Sequence, residues 1–181
     1  MKNKYSEQYF YLYLSLNKIF NKIVFLDRDG VINILRSDYV KTLAEFILIK
    51  DIGKNLAKLT KNGFKIIVIT NQSAINRGLI TKEELIKIHE FMVMELRKDG
   101  CIINAVYFCP HKPEENCNCR KPKILLFKKA LSVFSPYDLK DLWMIGDSIS
   151  DMDAASSLGI KKIKIDSNQS IQKEIDKILS F

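Results

Sequence analysis

From Lys22 onward, short apolar runs alternate with stretches in which apolar residues recur every three or four positions. Lys22–Asp27 (KIVFLD), Phe64–Thr70 (FKIIVIT), Ala105–Phe108, Leu142–Gly146 (LWMIG) and Ile160–Ile165 are short and almost continuously apolar. They predict strands covered on both faces. Asp51–Asn62 sets Ile52, Leu56 and Leu59 on one helical face, and Gly63 supplies the stop. Thr81 with Glu84 forms a capping box, from which Leu85, Ile88, Met92 and Leu96 carry a buried stripe to Lys98. Further helices are predicted near Ile124–Ser132, over Ser150–Leu158 and over about Ser170–Leu179. Such alternation means an α/β fold with a mostly parallel sheet. It forms a single domain over 22–181, preceded by an extension, residues 1–21. Ligands of such sheets bind beyond the carboxyl ends of the strands, and every motif below falls at such an end.

In the extension, Lys2 and Lys4 precede an apolar run, Tyr9 to Leu16, interrupted by Ser15. The run is too short to span a membrane and no small-residue cleavage site follows it. A segment packing on the domain or on a neighbouring subunit is expected, in a cytoplasmic protein.

Four segments carry chemistry. In Phe25-Leu26-Asp27-Arg28-Asp29-Gly30, two carboxylates leave a buried strand together. Left unpaired they would be costly, so a cation is expected to bridge them, and oxygen ligands favour Mg²⁺. One carboxylate can attack covalently while the other exchanges protons. In Thr70-Asn71-Gln72-Ser73-Ala74-Ile75-Asn76-Arg77-Gly78, hydroxyls, amides and a guanidinium suit phosphate oxygens. Asp147 stands at another strand end and can complete an octahedral cation site, with Asp151 one helical turn on to steady it. Cys109, His111, Cys117 and Cys119 lie within eleven residues. Three thiolates and one imidazole make a closed tetrahedral zinc set, structural because no position is left for water. Arg120 and Lys121 follow the last ligand directly. His89, Cys101 and Trp143 have no such partners and read as core.

The chain carries 29 Lys and Arg against 21 Asp and Glu, a net +8 that attracts anions of many kinds. Only five of the cations are Arg, and three of those (Arg28, Arg77, Arg120) fall in the motifs. The cations are otherwise dispersed and the aromatics sit largely in apolar runs. A phosphorylated small molecule is therefore the expected partner, with neither nucleic acid nor membrane.

Together and in this order, the four segments resemble the haloacid-dehalogenase superfamily of phosphatases over roughly residues 22–165. The LDRDGVIN opening, the TNQSAINRG segment and the zinc loop are similar to its heptose bisphosphate and histidinol phosphate branch. The resemblance implies a Rossmann-like three-layer sandwich without a large cap, the zinc loop partly serving that purpose. It implies Asp27 as nucleophile and Asp29 as general acid, then base, with Mg²⁺ held by Asp27, the Asp29 carbonyl and Asp147. Thr70 and Lys121 would bind the transferring phosphoryl group and Arg120 the rest of the substrate. Asn71, Gln72, Ser73, Arg77 and Tyr39 are the further substrate contacts expected. The Asn71-Gln72-Ser73…Arg77-Gly78 stretch favours a heptose bisphosphate substrate. The missing Pro-Gly after Pro122 leans toward histidinol phosphate. A monomer or weak homo-oligomer is expected.

Overall fold

The computed structural model describes residues 20–181, so nearly all of the expected N-terminal extension lies outside the described residues. Five parallel strands, β1 (Asn21–Leu26), β2 (Lys65–Asn71), β3 (Ile103–Cys109), β4 (Tyr137–Gly146) and β5 (Lys161–Lys164), form one sheet in the order β3-β2-β1-β4-β5. Side-chain alternation splits its residues between two cores. Val24, Leu26, Ile66, Val68 and Ile145 face helices α1 (Ile52–Lys61), α2 (Lys82–Lys98) and α5 (Gln172–Leu179). Ile23, Phe25, Ile67, Ile69 and Met144 face α3 (Leu125–Val133) and α4 (Ile149–Leu158). Ile23 to Leu26 are fully buried, which is why β1 reads as a continuous apolar run. The result is the expected three-layer α/β sandwich.

Two strands run further than their apolar cores. β4 begins at Tyr137, five residues before the expected Leu142, because the partly exposed stretch before Leu142 leads back to the start of β1. There Asn21 donates from its backbone N–H to the Pro136 carbonyl (2.8 Å) and from Nδ2 to the Phe134 carbonyl (2.8 Å). β3 extends to Cys109, so the first residue of the cysteine loop is the last residue of a strand. α2 carries the expected capping box: Thr81 accepts from the Glu84 N–H and Glu84 accepts from the Thr81 N–H. Trp143 is core, as expected, with Lys161 4.6 Å from its ring centroid.

The chain runs outward from β1 through β2 to β3, then returns to the other side of β1 with β4. A crevice opens at such a reversal, beyond the carboxyl ends of the strands. No helix among the described residues is long and apolar enough to cross a membrane.

Candidate active site

Asp27 follows β1 and Asp147 follows β4, so parallel pairing of the two strands brings both carboxylates to the crevice. Gly30 makes the approach possible: a Cβ there would lie 2.2 Å from Asp147 Oδ2. The backbone also turns at this point with φ +84°, which glycine adopts without strain. Carboxylate oxygens of Asp27, Asp147 and Asp151 lie within 4.8 Å of one another. Burial pushes the Asp27 carboxyl up to about 7, with Lys121 pulling the other way and Asp151 and Asp29 adding to the rise. These oxygens are hard donors, so the set fits Mg²⁺.

Lys121 is the centre of charge. Its Nζ lies 2.8 Å from Asp27 Oδ1 and 2.6 Å from Asp151 Oδ1, and donates to the Ile69 carbonyl at 2.6 Å. Although it is buried, the two carboxylates hold its ammonium above the usual lysine range. Asn71 grips the backbone of the same residue, accepting from its N–H (3.0 Å) and donating to its carbonyl (3.3 Å). Asn71, expected to touch substrate, lines the cavity and also positions Lys121. The Arg28 N–H also donates to Asp27 Oδ1 (2.7 Å), so both Asp27 contacts fall on one oxygen.

The Asp29 side chain has donors of its own within the protein. Its carboxylate is held by protein: Arg28 Nη2 donates to Oδ1 and Oδ2 (2.8 and 2.9 Å), Asn33 Nδ2 to Oδ1 (2.9 Å) and Gln72 Nε2 to Oδ2 (2.7 Å). Burial works against ionisation, yet these donors hold the group below the usual carboxylate range. Gln72 also donates to Thr70 Oγ1 (2.8 Å), and at 2 % exposure it orders the site from beneath. Asp151 stands in the same carboxylate cluster as Asp27 and Asp147 and is anchored from α4. Fully buried, it accepts from the Ser148 N–H (3.1 Å) and Oγ (2.7 Å), capping α4, and pairs with Lys121. The support of Asp147 is Ser167, whose Oγ donates to Oδ2 at 2.6 Å.

Above these groups lies a cavity of about 300 Å³ whose walls include Tyr39, Thr70, Asn71, Arg120, Ser150 and Arg36. Arg36, absent from the sequence expectation, donates from Nε to the Tyr39 carbonyl (3.2 Å) and from Nη2 to Asp38 (3.0 Å). Tyr39 adopts φ +67°, unusual for a bulky side chain. Arg36 and Lys41 hold its carbonyl, and its hydroxyl lies 3.5 Å from Ser73 Oγ. Ser73 is buried behind Tyr39 and Arg77 is exposed; neither lines the cavity.

Cys109, His111, Cys117 and Cys119 converge as expected. Neighbouring sulfur and Nδ1 atoms are 3.2–3.5 Å apart. A tetrahedral zinc with bonds of about 2.0–2.3 Å has edges of roughly 3.5–3.8 Å, so a small expansion seats the ion. Against its desolvation, the Cys119 and Arg120 N–H groups bring the Cys117 thiol down to about 7. Arg120 Nη1 donates to the His111 carbonyl (3.1 Å), tying the rim cation to the loop.

A carboxylate at the end of the central strand, a second two residues on, a buried lysine and an acidic pair across the switch point define a phosphohydrolase of the HAD-like class. The chain belongs to that family, and its HAD-hydrolase-like model matches residues 118–179. The D-glycero-β-D-manno-heptose-1,7-bisphosphate 7-phosphatase of Neisseria meningitidis serogroup A is 39 % identical over 140 residues, 77 % of this chain and 74 % of that protein. The Haemophilus ducreyi enzyme of the same name is 35 % identical over 164 residues, 86 % and 89 % of the two chains. The D,D-heptose 1,7-bisphosphate phosphatase of B. bronchiseptica, solved with magnesium and phosphate, superposes with a TM-score of 0.77 at 30 % identity, covering 86 % of each chain. The protein is a phosphoric monoester hydrolase.

Proposed function

We propose that the protein is a cytoplasmic, Mg²⁺-dependent phosphatase that removes the C7 phosphate of D-glycero-D-manno-heptose 1,7-bisphosphate through a phosphoaspartate at Asp27. Asp27, Asp147 and the Asp29 carbonyl would hold Mg²⁺, which supplies charge neutralisation for the phosphoryl oxygens when bound. Asp27 attacks phosphorus with Oδ2, the oxygen left free by Lys121 and Arg28. As the bond to the sugar oxygen breaks, that oxygen takes its electron pair and a proton from Asp29. Asp29 would carry that proton only with substrate bound, since Arg28, Asn33 and Gln72 hold the resting carboxylate ionised. Water then attacks the phosphoaspartate at phosphorus and gives a proton to Asp29, which releases inorganic phosphate and restores Asp27. Lys121 offsets the charge that gathers on the transferring group. Thr70 Oγ1 accepts from Gln72, which leaves its own hydrogen for a phosphoryl oxygen. Zn²⁺ on Cys109, His111, Cys117 and Cys119 would be structural, and thiolate ligands suit a reducing compartment.

The observation that carries the substrate reading is the pair of arginines, Arg36 and Arg120, in the walls of the cavity above Asp27, Arg36 being shared with Asp38 and Glu45 and Arg120 with the His111 carbonyl. They suit a substrate with a second anionic group remote from the scissile one. Histidinol phosphate would instead present an ammonium group to two cations. The test is kcat/KM for both compounds. The heptose bisphosphate is expected to lead by at least tenfold, about 1.4 kcal/mol of transition-state binding. A tenfold lead for histidinol phosphate would replace this reading.

A further inference from the structure

His89 lies in the middle of α2, nearly closed to solvent at 7 % exposure, with its ring centroid 5.9 Å from that of Phe108. Its Nε2 is 3.1 Å from Arg28 Nη1. A guanidinium only donates, so Nε2 accepts and the ring proton sits on Nδ1. Arg28 is itself 1 % exposed, with its guanidinium carbon 5.9 Å from the Phe46 ring centroid and its Nε buried without a hydrogen-bond partner. A buried cation with an orphaned N–H is costly, and an apolar side chain would fill this part of the core at lower cost. What only the guanidinium provides is the fork from Nη2 to both oxygens of Asp29.

We propose that His89 is a positioning residue for Asp29, acting through Arg28: its neutral imidazole holds the guanidinium in the orientation from which one nitrogen spans both carboxylate oxygens. The inference rests on the proposed role of Asp29 in proton transfer. Asn33 and Gln72 each reach a single oxygen, so neither alone fixes the plane of the carboxylate. Without an acceptor at position 89, Nη1 becomes a second orphaned donor on the same buried cation. Arg28 then tilts toward water or other acceptors, and the carboxylate plane turns with it.

The step that suffers is cleavage of an alkyl ester. There the P–O bond breaks with its electron pair going to the alkyl oxygen, which must take the Asp29 proton while Asp27 bonds to phosphorus. A nitrophenolate leaves without a proton, so its departure does not need Asp29 in place. The ratio kcat/KM reports events only through the first irreversible step, and so isolates this cleavage from the later hydrolysis.

The experiment measures kcat/KM for p-nitrophenyl phosphate and glycerol 3-phosphate in the wild type, His89→Leu, His89→Gln and Asp29→Asn. His89→Leu is expected to lose at least tenfold on the alkyl ester while staying within threefold on the aryl ester. His89→Gln, with an amide oxygen to receive Nη1, is expected to recover the alkyl ester to within threefold. If the Leu variant does not fold, His89→Phe keeps a ring beside Phe108 without an acceptor and is expected to show the same loss. Equal losses on both esters, no loss on either, or no recovery in His89→Gln would overturn the role of His89. If Asp29→Asn also lowers both esters alike, the Asp29 reading itself fails. If Asp29→Asn is selective and His89→Leu is not, only the His89 inference falls.

Discussion

Asp151→Asn isolates the charge that steadies Lys121. The wild-type carboxylate, itself fully buried, accepts from Ser148 at the start of α4 through Oδ2 and meets the Lys121 ammonium at 2.6 Å through Oδ1. An asparagine can keep only one of these duties: if its oxygen caps the helix, its amide presents hydrogens to an ammonium. One charge-assisted hydrogen bond is lost, about 1.5–3 kcal/mol, less than for an isolated buried pair because Asp27 and the Ile69 carbonyl still hold the lysine. Taking about 2 kcal/mol, thermal unfolding should fall by roughly 4–8 °C in a chain of this length. Asp151→Ala should fall further by about 1 kcal/mol, the worth of the cap. Turnover should drop as well, because Lys121, freed from Asp151, draws more tightly on Asp27 and blunts it as a nucleophile. Differential scanning calorimetry with steady-state kinetics reads both effects. A variant melting within 1 °C of wild type with unchanged kcat would refute the assignment of Asp151 to Lys121.

Other outcomes follow from the same geometry. Asp27→Asn should abolish turnover with every phosphate ester and leave no acid-stable phosphoprotein on rapid quench, since an amide does not attack phosphorus; near-wild-type turnover would remove Asp27 from the mechanism. Cys117→Ser should retain well below one zinc per chain by elemental analysis, raise KM and lower kcat, because ordering the loop that presents Arg120 and Lys121 would lose the contribution of the metal. Burial first, then Arg28, pulls the His89 pKa down to about 3 from 6.5. The unfolded chain therefore binds the extra proton between these values, and His89 costs stability as pH falls through that window, about 1.4 kcal/mol per unit. Urea unfolding at pH 7 and pH 5 should show His89→Gln losing about 2 kcal/mol less than wild type across that step; equal losses would mean His89 titrates normally.

The strands were legible because parallel strands under helices leave continuous apolar runs, and Ile23–Leu26 has no exposed position to blur the signal. Asp27 and Asp147 were legible because each directly follows such a run, the cysteine cluster because its four ligands lie within eleven residues, and Lys121 through the family resemblance. What the sequence hid was the direction of side chains beyond the strand ends. Asn71 and Gln72 look alike as amides in a polar loop, yet one turns to the Lys121 backbone and the other beneath Asp29. Ser167 lies in an ordinary polar turn, and only the pairing of β5 with β4 carries it to Asp147. Arg36 has no motif around it, since its place depends on the course of the whole segment between β1 and α1. Arg28 and His89 are 61 positions apart, and no local pattern joins them.

The cavity walls are built from loops of the domain itself: the segment holding Arg36 and Tyr39 on one side, the cysteine loop with Arg120 on the other. Among the described residues no separate lid stands over it. In the proposed function, selectivity would fall to the charges of these two loops. The groups proposed to react sit on strand ends anchored in the sheet, whereas the residues proposed to choose the substrate sit on two surface loops. On that proposal, exchanging a single rim side chain would redirect the enzyme to a differently charged phosphate ester while its chemistry stays intact.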